Sequence, residues 1–200
     1  LGAKRIVLAR ELTLEEIAEI RRNIPKEVEL ECFIHGSMCI AYSGRCLLSQ
    51  YYLGRDANRG MCAQPCRWEY KTAPQPIRFS EEKRPEDQLG IEEENGESFI
   101  MSSRDLSMIE HIPEIYAAGI DSFKIEGRMK SAYYAAVVTN VYRMAMDRYE
   151  ASPEDYSVDP LWLRELESVS HREYATGFFF TPPGCDANTV TSPGYIREKA

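Results

Sequence analysis

The stretch RIVLARELTLEEIAEIRRNIPKEVELECFI, running from Arg5 to Ile34, decides the fold class. Arg5-Ile-Val-Leu-Ala9 is an apolar run of strand length and reads as a buried strand. Thr13 then opens a helix. Glu16 stands three residues on, so hydroxyl and carboxylate can each take a backbone N–H of the first turn. Leu14, Ile17 and Ile20 recur at helical spacing as its inner face, and Pro25 follows its end. Val28–Ile34 is a second strand. Strand, helix and strand in so short a span make a βα unit with parallel strands.

Downstream the pattern repeats. Arg67–Thr72 and Ser98–Met101 read as strands flanking a charged excursion whose solvated tip is Glu92–Gly96. Ser102 or Ser103 caps a helical stretch carrying Leu106, Ile109 and Ile112, and Pro113 starts a second short helix that stops at Gly119. Ser122–Glu126 is a strand. Ser131–Tyr149 is a long helix with Tyr134, Val138, Val141 and Ala145 on one stripe. Units starting near Arg5, Val28 and Ser98–Ser122 are too few for a closed eight-stranded barrel and right for part of one. The expected fold is α/β: a partial TIM-barrel-like (β/α) domain, its later half, over residues 1–150, with an inserted cysteine-rich loop region at 36–67. Past Pro153 the periodicity weakens. Glu173–Thr181 shows an aromatic strand pattern through Phe178-Phe-Phe180, and the Pro/Gly tail begins at Pro182. Residues 151–200 read as the end of the barrel region and a linker toward a missing C-terminal domain. The chain opens in mid-pattern without Met, so a longer parent protein is expected.

Composition narrows the function classes. Hydrophobic residues make up 44% and charged residues 28% of 200, as in a soluble globular chain, and no apolar run is long enough to span a bilayer. A net charge of −8 argues against nucleic-acid binding by bulk charge. The charge is segregated, however. Acids crowd into Glu81–Glu97, while Arg45, Arg55, Arg59 and Arg67 occupy a stretch nearly free of acids. A local basic site therefore remains open.

That basic stretch coincides with the thiols. Of six cysteines, Cys39, Cys46, Cys62 and Cys66 fall close together. Four thiolates are what a 4Fe–4S cluster or a structural zinc takes, and in a cytosolic-looking chain such clustering favours metal over disulfides. Only the second pair has the tight spacing of zinc fingers; the wide first pair suits a cluster better. Buried structural thiols or two disulfides are the plainer alternative. Cys32 alternates with Glu31 and Phe33 inside a strand and reads as core, and Cys185 is unassigned.

The same segment carries a resemblance. Glu31-x-Phe33-x-x-Gly36-Ser37-Met38-Cys39, then Gly44-x-Cys46-x-Leu48-Ser49, resembles the signature of peptidase family U32. Asp56–Gly60 with Cys62-Ala-Gln-Pro-Cys66-Arg67, Phe123–Lys130, and His171–Tyr174 before Thr176-Gly177 extend the likeness over most of Ala3 to Phe180. The resemblance implies a TIM-barrel-like catalytic domain and a 4Fe–4S cluster on four cysteines. It also implies hydroxylation chemistry, since the peptidase label is historical. The chain looks most similar to the branch that converts the tRNA wobble uridine to 5-hydroxyuridine with prephenate. A sister branch hydroxylates a ribosomal RNA cytidine, and some members act as paired subunits. On this reading the partners are a tRNA anticodon loop and a second U32-type subunit, with no membrane.

Strand ends supply the remaining candidates, because reactive groups of a βα barrel sit there. Arg10, His35, Glu126 and Arg128, with Glu31 from the signature, are the candidate catalytic residues; Arg104 and Lys124 are the candidate cofactor-binding residues. Arg10, Arg104 and Arg128 suit the carboxylates of a dianionic acid such as prephenate, because a guanidinium pairs with a carboxylate through two bonds. Each has a structural alternative: Arg104-Asp105 as a helix-capping pair, Lys124 and Glu126 as a rim ion pair, His35 as a satisfied core group. Tyr42, Tyr51 and Tyr52 could stack on a base or pack the cysteine loop. No H-E-x-x-H and no G-x-S-x-G occurs, so protease chemistry has little to stand on.

Overall fold

The parallel pair read from the opening stretch is present. β1 (Arg5–Val7) and β2 (Glu29–Ser37) run parallel, and α1 (Leu14–Asn23) connects them. The helix starts as its sequence dictates. Thr13 Oγ1 accepts the Glu16 N–H at 3.2 Å, and Glu16 Oε2 accepts the Thr13 N–H at 2.8 Å. The computed structural model describes the backbone of residues 2–67, 78–81, 84–90, 92–94, 97–99 and 103–182, and their side chains outside 78–99 and position 58. After β2 come α2 (Leu48–Leu53), β3 (Arg78–Glu81), β4 (Arg84–Gly90), β5 (Glu92–Glu94), β6 (Glu97–Phe99) and β7 (Asp105–Ser107). Then follow α3 (Ile112–Ala117), β8 (Ser122–Ile125), α4 (Ala132–Ala151), α5 (Pro160–Ser168) and β9 (Tyr174–Ala175).

These elements fall into two compact units. The first joins residues up to Ser43 with those from Ser103 onward; the second is Gly44–Ser102. In the first, the sheet runs β1–β2–β7–β9, and β8 pairs with β2 as well. β1 and β8 are parallel to β2, whereas β7 is antiparallel to it. The fold class is therefore α/β with a mixed sheet. Among the described residues that sheet does not close into a barrel.

Period two explains how β2 serves two faces. Leu30, Cys32 and Ile34 are buried, while Glu29, Glu31 and Phe33 alternate with them and stay more exposed. The buried face packs with Ile17 of α1, Ile112 and Ile115 of α3, and Tyr134, Val138, Val141 and Ala145 of α4. The α4 stripe is the one its spacing predicts. In the second unit, β3–β4 and β5–β6 are separate antiparallel pairs.

Four local expectations are corrected, and one helix is added. β1 is an edge strand rather than a buried one: Ile6 is 41% and Val7 48% exposed, because among the described residues β2 alone pairs with it. Leu106 lies on β7, not in a helix; pairing with β2 overrides local propensity, although Leu106, Ile109 and Ile112 all point inward as expected. The Glu92–Gly96 tip is shorter than read, since Glu92–Glu94 forms β5. The aromatic strand is confined to Tyr174–Ala175, and Phe178–Phe180 lies outside it. Finally, α5 was not expected, although Asp159 caps it through the Leu161 N–H and Pro160 opens it. Arg67 sits in a single 3-10 turn, and the rest of the strand expected to Thr72 lies outside the described residues, as do Met101, Cys185 and the tail from residue 183. Among the described residues no helix is long and apolar enough to cross a membrane.

Candidate functional site

Several candidates converge on the more exposed face of β2. Phe33 is its centre. The Arg10 guanidinium carbon lies 3.8 Å from the Phe33 ring centroid and Lys124 Nζ lies 5.2 Å from it. Register brings them together: Phe33 pairs with Lys124 across β2 and β8, and Arg10 follows β1 on the other side. Glu31, two residues back on the same face, accepts from Lys124 Nζ at 3.1 Å and from Ser122 Oγ at 2.9 Å, with Arg5 Nη1 at 3.3 Å. Burial acts to raise the Glu31 carboxyl pKa, but the hydrogen bonds and charges of Lys124, Ser122 and Arg5 outweigh it and hold it below the ordinary value. Glu31 is thus a carboxylate, and Lys124 is its ammonium partner.

Arg10 is the unsaturated member of this group. Its Nε is buried with no hydrogen-bond partner among the described residues. The cavity beside it, lined by Arg10, Cys32, Phe33 and Met38, measures about 10 Å³ and admits no more than a water. A larger anion would have to lie over the open face.

His35 is elsewhere. The β2–β8 register shifts between Phe33 and His35, and the imidazole lies in the core against Tyr134, Tyr142 and Tyr174. The Tyr142 hydroxyl donates to the Ile34 carbonyl at 3.1 Å and accepts the Met108 N–H at 2.9 Å. Its one proton being used, His35 Nδ1 is the donor in the 3.3 Å contact to Tyr142; Nε2 lies 3.5 Å from the Tyr174 hydroxyl, whose own proton goes to the Leu166 carbonyl at 2.9 Å. Burial above all pushes the His35 pKa down to about 3; His171 and Lys130 add to the effect and Asp105 opposes it. His35 is therefore a neutral core group. Near it, Lys130 and Asp105 form a buried pair at 3.8 Å, and His171, stacked on Tyr174 at 4.3 Å, donates from Nδ1 to the Arg172 carbonyl.

The other candidates disperse. Arg104 pairs with Glu173 at 3.3 Å. Glu126 accepts the Arg128 N–H at 3.2 Å, and Arg128 is exposed. Phe33, Ser122 and Arg5 were missed as site residues. A signal was available for Arg5, the polar residue of an otherwise apolar β1.

Cys39 belongs to the first unit; Cys46, Cys62 and Cys66 belong to the second. All four are partly buried. Among the described residues no three His, Cys, Asp or Glu side chains are gathered as a metal-holding group. The surroundings of Cys62 suit a thiolate nonetheless. Its sulfur accepts the Gln64 N–H at 3.3 Å and faces the Ser49 hydroxyl at 3.8 Å, while Ser49 Oγ accepts the Ala63 N–H at 3.0 Å. Gln64 reaches this position with φ of 53°, the left-handed region a non-glycine residue seldom enters. Donors turned onto sulfur, and four soft thiols in the set, fit a thiolate-bound iron–sulfur group.

Comparison with known proteins places these observations. The model of the family described as peptidase family U32 matches residues 1–189. The chain is 45% identical over 188 residues to tRNA hydroxylation protein P1 of Bacillus subtilis, covering 92% of this chain and 41% of that protein. It is 39% identical over 211 residues to tRNA hydroxylation protein P of Escherichia coli, covering 89% and 46%. A protein named collagenase from Porphyromonas gingivalis is 33% identical over 183 residues, covering 87% and 41%. The chain thus spans less than half the length of these relatives. No solved structure matches it.

Proposed function

The chain belongs to peptidase family U32, and from that premise we propose that its parent protein is a tRNA hydroxylase that forms 5-hydroxyuridine at the wobble position. The observation that carries this is the 45% identity, over 92% of this chain, to a relative named for tRNA hydroxylation. The chemistry is compatible, because an anticodon-loop base is already unpaired and is cheaply turned into a site. The domain is read as the later half of a (β/α) barrel over residues 1–150, with the remainder leading toward a further domain.

Prephenate is the proposed co-substrate. Arg10 and Lys124 are assigned to its carboxylates above Phe33, and Arg104 and Arg128 are secondary sites for the same charge. Glu31 holds Lys124 in place. Glu126 is retained as a rim carboxylate, and His35 as a support behind the strand rather than a group in contact with substrate. A 4Fe–4S cluster on Cys39, Cys46, Cys62 and Cys66 would supply the electron chemistry. Anaerobically prepared protein is expected to hold about four irons with matching sulfide. Replacing any of these four cysteines with Ser lowers bound iron sharply, whereas Cys185→Ser does not; stoichiometric zinc without sulfide defeats the cluster.

The deciding experiment is mass spectrometry of tRNA nucleosides after deletion of the parent gene in a strain with no redundant hydroxylase. Loss of 5-hydroxyuridine and its derivatives is expected. Unchanged wobble modification moves the ribosomal RNA cytidine, or a partner-subunit role beside a second U32-type chain, to the front. The collagenase relative keeps a peptidase reading alive, and cleavage of casein or collagen that disappears with a single Cys or His substitution would establish it.

A further inference from the structure

The second unit carries a surface that the hydroxylase assignment does not explain. α2 has one buried residue, Ser49, and that residue is held by polar contacts to Ala63 and Cys62. The helix is tethered through a hydroxyl, and its large apolar side chains face outward. Tyr51 is 82% and Leu47 69% exposed, and Tyr52, Leu53 and Met61 are close to half exposed. So many large apolar side chains at the surface of so short a stretch mark a contact site rather than scatter. A residue as exposed as Tyr51 does not pack the cysteine loop.

Two further features indicate what the surface meets. The Tyr51 and Tyr52 rings stand edge to face, with centroids 5.1 Å apart and planes at 82°. Each ring restricts the other, so an aromatic face is presented with little rotational freedom left to lose. In the same stretch of chain, Arg45, Arg55 and Arg59 are exposed, and between residues 44 and 67 the sole acid is Asp56, in a chain of net charge −8. Tyr, Met and Arg are enriched at protein contacts too, so charge selects the occupant. Three exposed arginines against one acid, in a chain of net charge −8, complement a polyanion, and the aromatic faces suit one that offers flat apolar rings, which is single-stranded nucleic acid. A duplex hides its base faces by stacking and offers only the charge.

We propose that α2 and the turns following it are a docking surface for the unpaired loop of an RNA, with Tyr51 stacking on a base and Arg45, Arg55 and Arg59 on phosphates. This rests on the reading of RNA as the substrate and assigns the surface that receives it. The test is fluorescence anisotropy with the full-length, anaerobically prepared protein. The probes are a labelled RNA hairpin with an anticodon-sized loop and a fully paired RNA of equal length. Tyr51→Ala is expected to weaken hairpin binding on the order of tenfold and to spare the duplex, while Tyr51→Phe binds like the parent. Arg55→Gln with Arg59→Gln is expected to lower the slope of log affinity against log salt by about 1.5. Unchanged iron content and circular dichroism establish that the variants fold. The proposal is overturned if Tyr51→Ala binds the hairpin as tightly as the parent, if it weakens both probes equally, or if the parent binds no hairpin. Unchanged hairpin affinity with an altered sedimentation mass would make the face a protein contact instead. Because binding is read directly, failure of the hydroxylation assignment in the nucleoside measurement leaves this result standing, and the reverse also holds.

Discussion

Gly36 sits where β2 passes the backbone of Glu126, with φ of +106°, and a Cβ built there would run into the Glu126 carbonyl. Neither strand can retreat, because the Glu126 N–H is bonded to the His35 carbonyl at 2.9 Å. Gly36→Ala should cost about 3 kcal/mol and show as a lowered thermal midpoint; an unchanged midpoint would mean the strands can part. His35, one residue earlier, ties stability to pH. Its folded pKa of about 3 lies below the ordinary 6.5, so the unfolded chain binds the extra proton. The His35 contribution is whole above about pH 6.5 and shrinks as pH falls toward 3, by about 1.4 kcal/mol per pH unit. Urea unfolding at pH 7 and pH 5 should show a difference that is smaller in His35→Gln; an equal difference in both proteins would place the titration elsewhere. At the proposed ligand face, Arg10→Gln should raise the prephenate concentration needed for half-maximal hydroxylation by about tenfold or more. The arginine was legible as a strand-end cation. That its Nε lies buried above Phe33 was not, since sequence gives the order of groups along a strand and not which neighbour crosses the sheet to meet them.

Among the elements, those with a local cause were the ones sequence revealed. α1 carries its own start signal in Thr13 and Glu16, and α4 its own stripe with Ser131 capping the Tyr134 N–H at 3.0 Å. Thr13→Ala should destabilise the protein by roughly 1 kcal/mol, and adding Glu16→Ala should cost less than its separate effect, because each group completes the other's bond. Full additivity in chemical denaturation would show the two bonds to be independent. β7 was hidden for the opposite reason, being three residues long and existing through β2, and β9, expected over Glu173–Thr181, keeps only the two residues that β7 pairs. No period can be read in so few residues. The four cysteines and their arginines were legible as a group, whereas the Ser49–Cys62–Gln64 contacts depend on how a turn without periodicity closes.

At the scale of the whole chain, the second unit is inserted in the first, and within the first Ser103 Oγ donates to the Met38 carbonyl at 2.9 Å, which holds the returning backbone beside the end of β2. The first unit therefore needs only a short closure there, and closure entropy rises slowly with loop length. A variant in which a short Gly/Ser linker replaces residues 44–102 should still unfold in one cooperative transition and keep the near-ultraviolet signal of the buried Tyr134, Tyr142 and Trp162. Loss of that signal at neutral pH would show that the first unit depends on the second. The same arrangement sets a clock on the ribosome. β2 is synthesised before the interruption, whereas its partner β8 and the covering helices α3 and α4 lie beyond it. At ~5–20 residues per second the nascent chain waits on the order of ten seconds with the apolar side of β2 lacking α3 and α4. The interval invites a holding chaperone on Leu30, Cys32 and Ile34, and a synonymous-codon pause placed between residues 44 and 102 should lengthen it and lower the yield of folded protein.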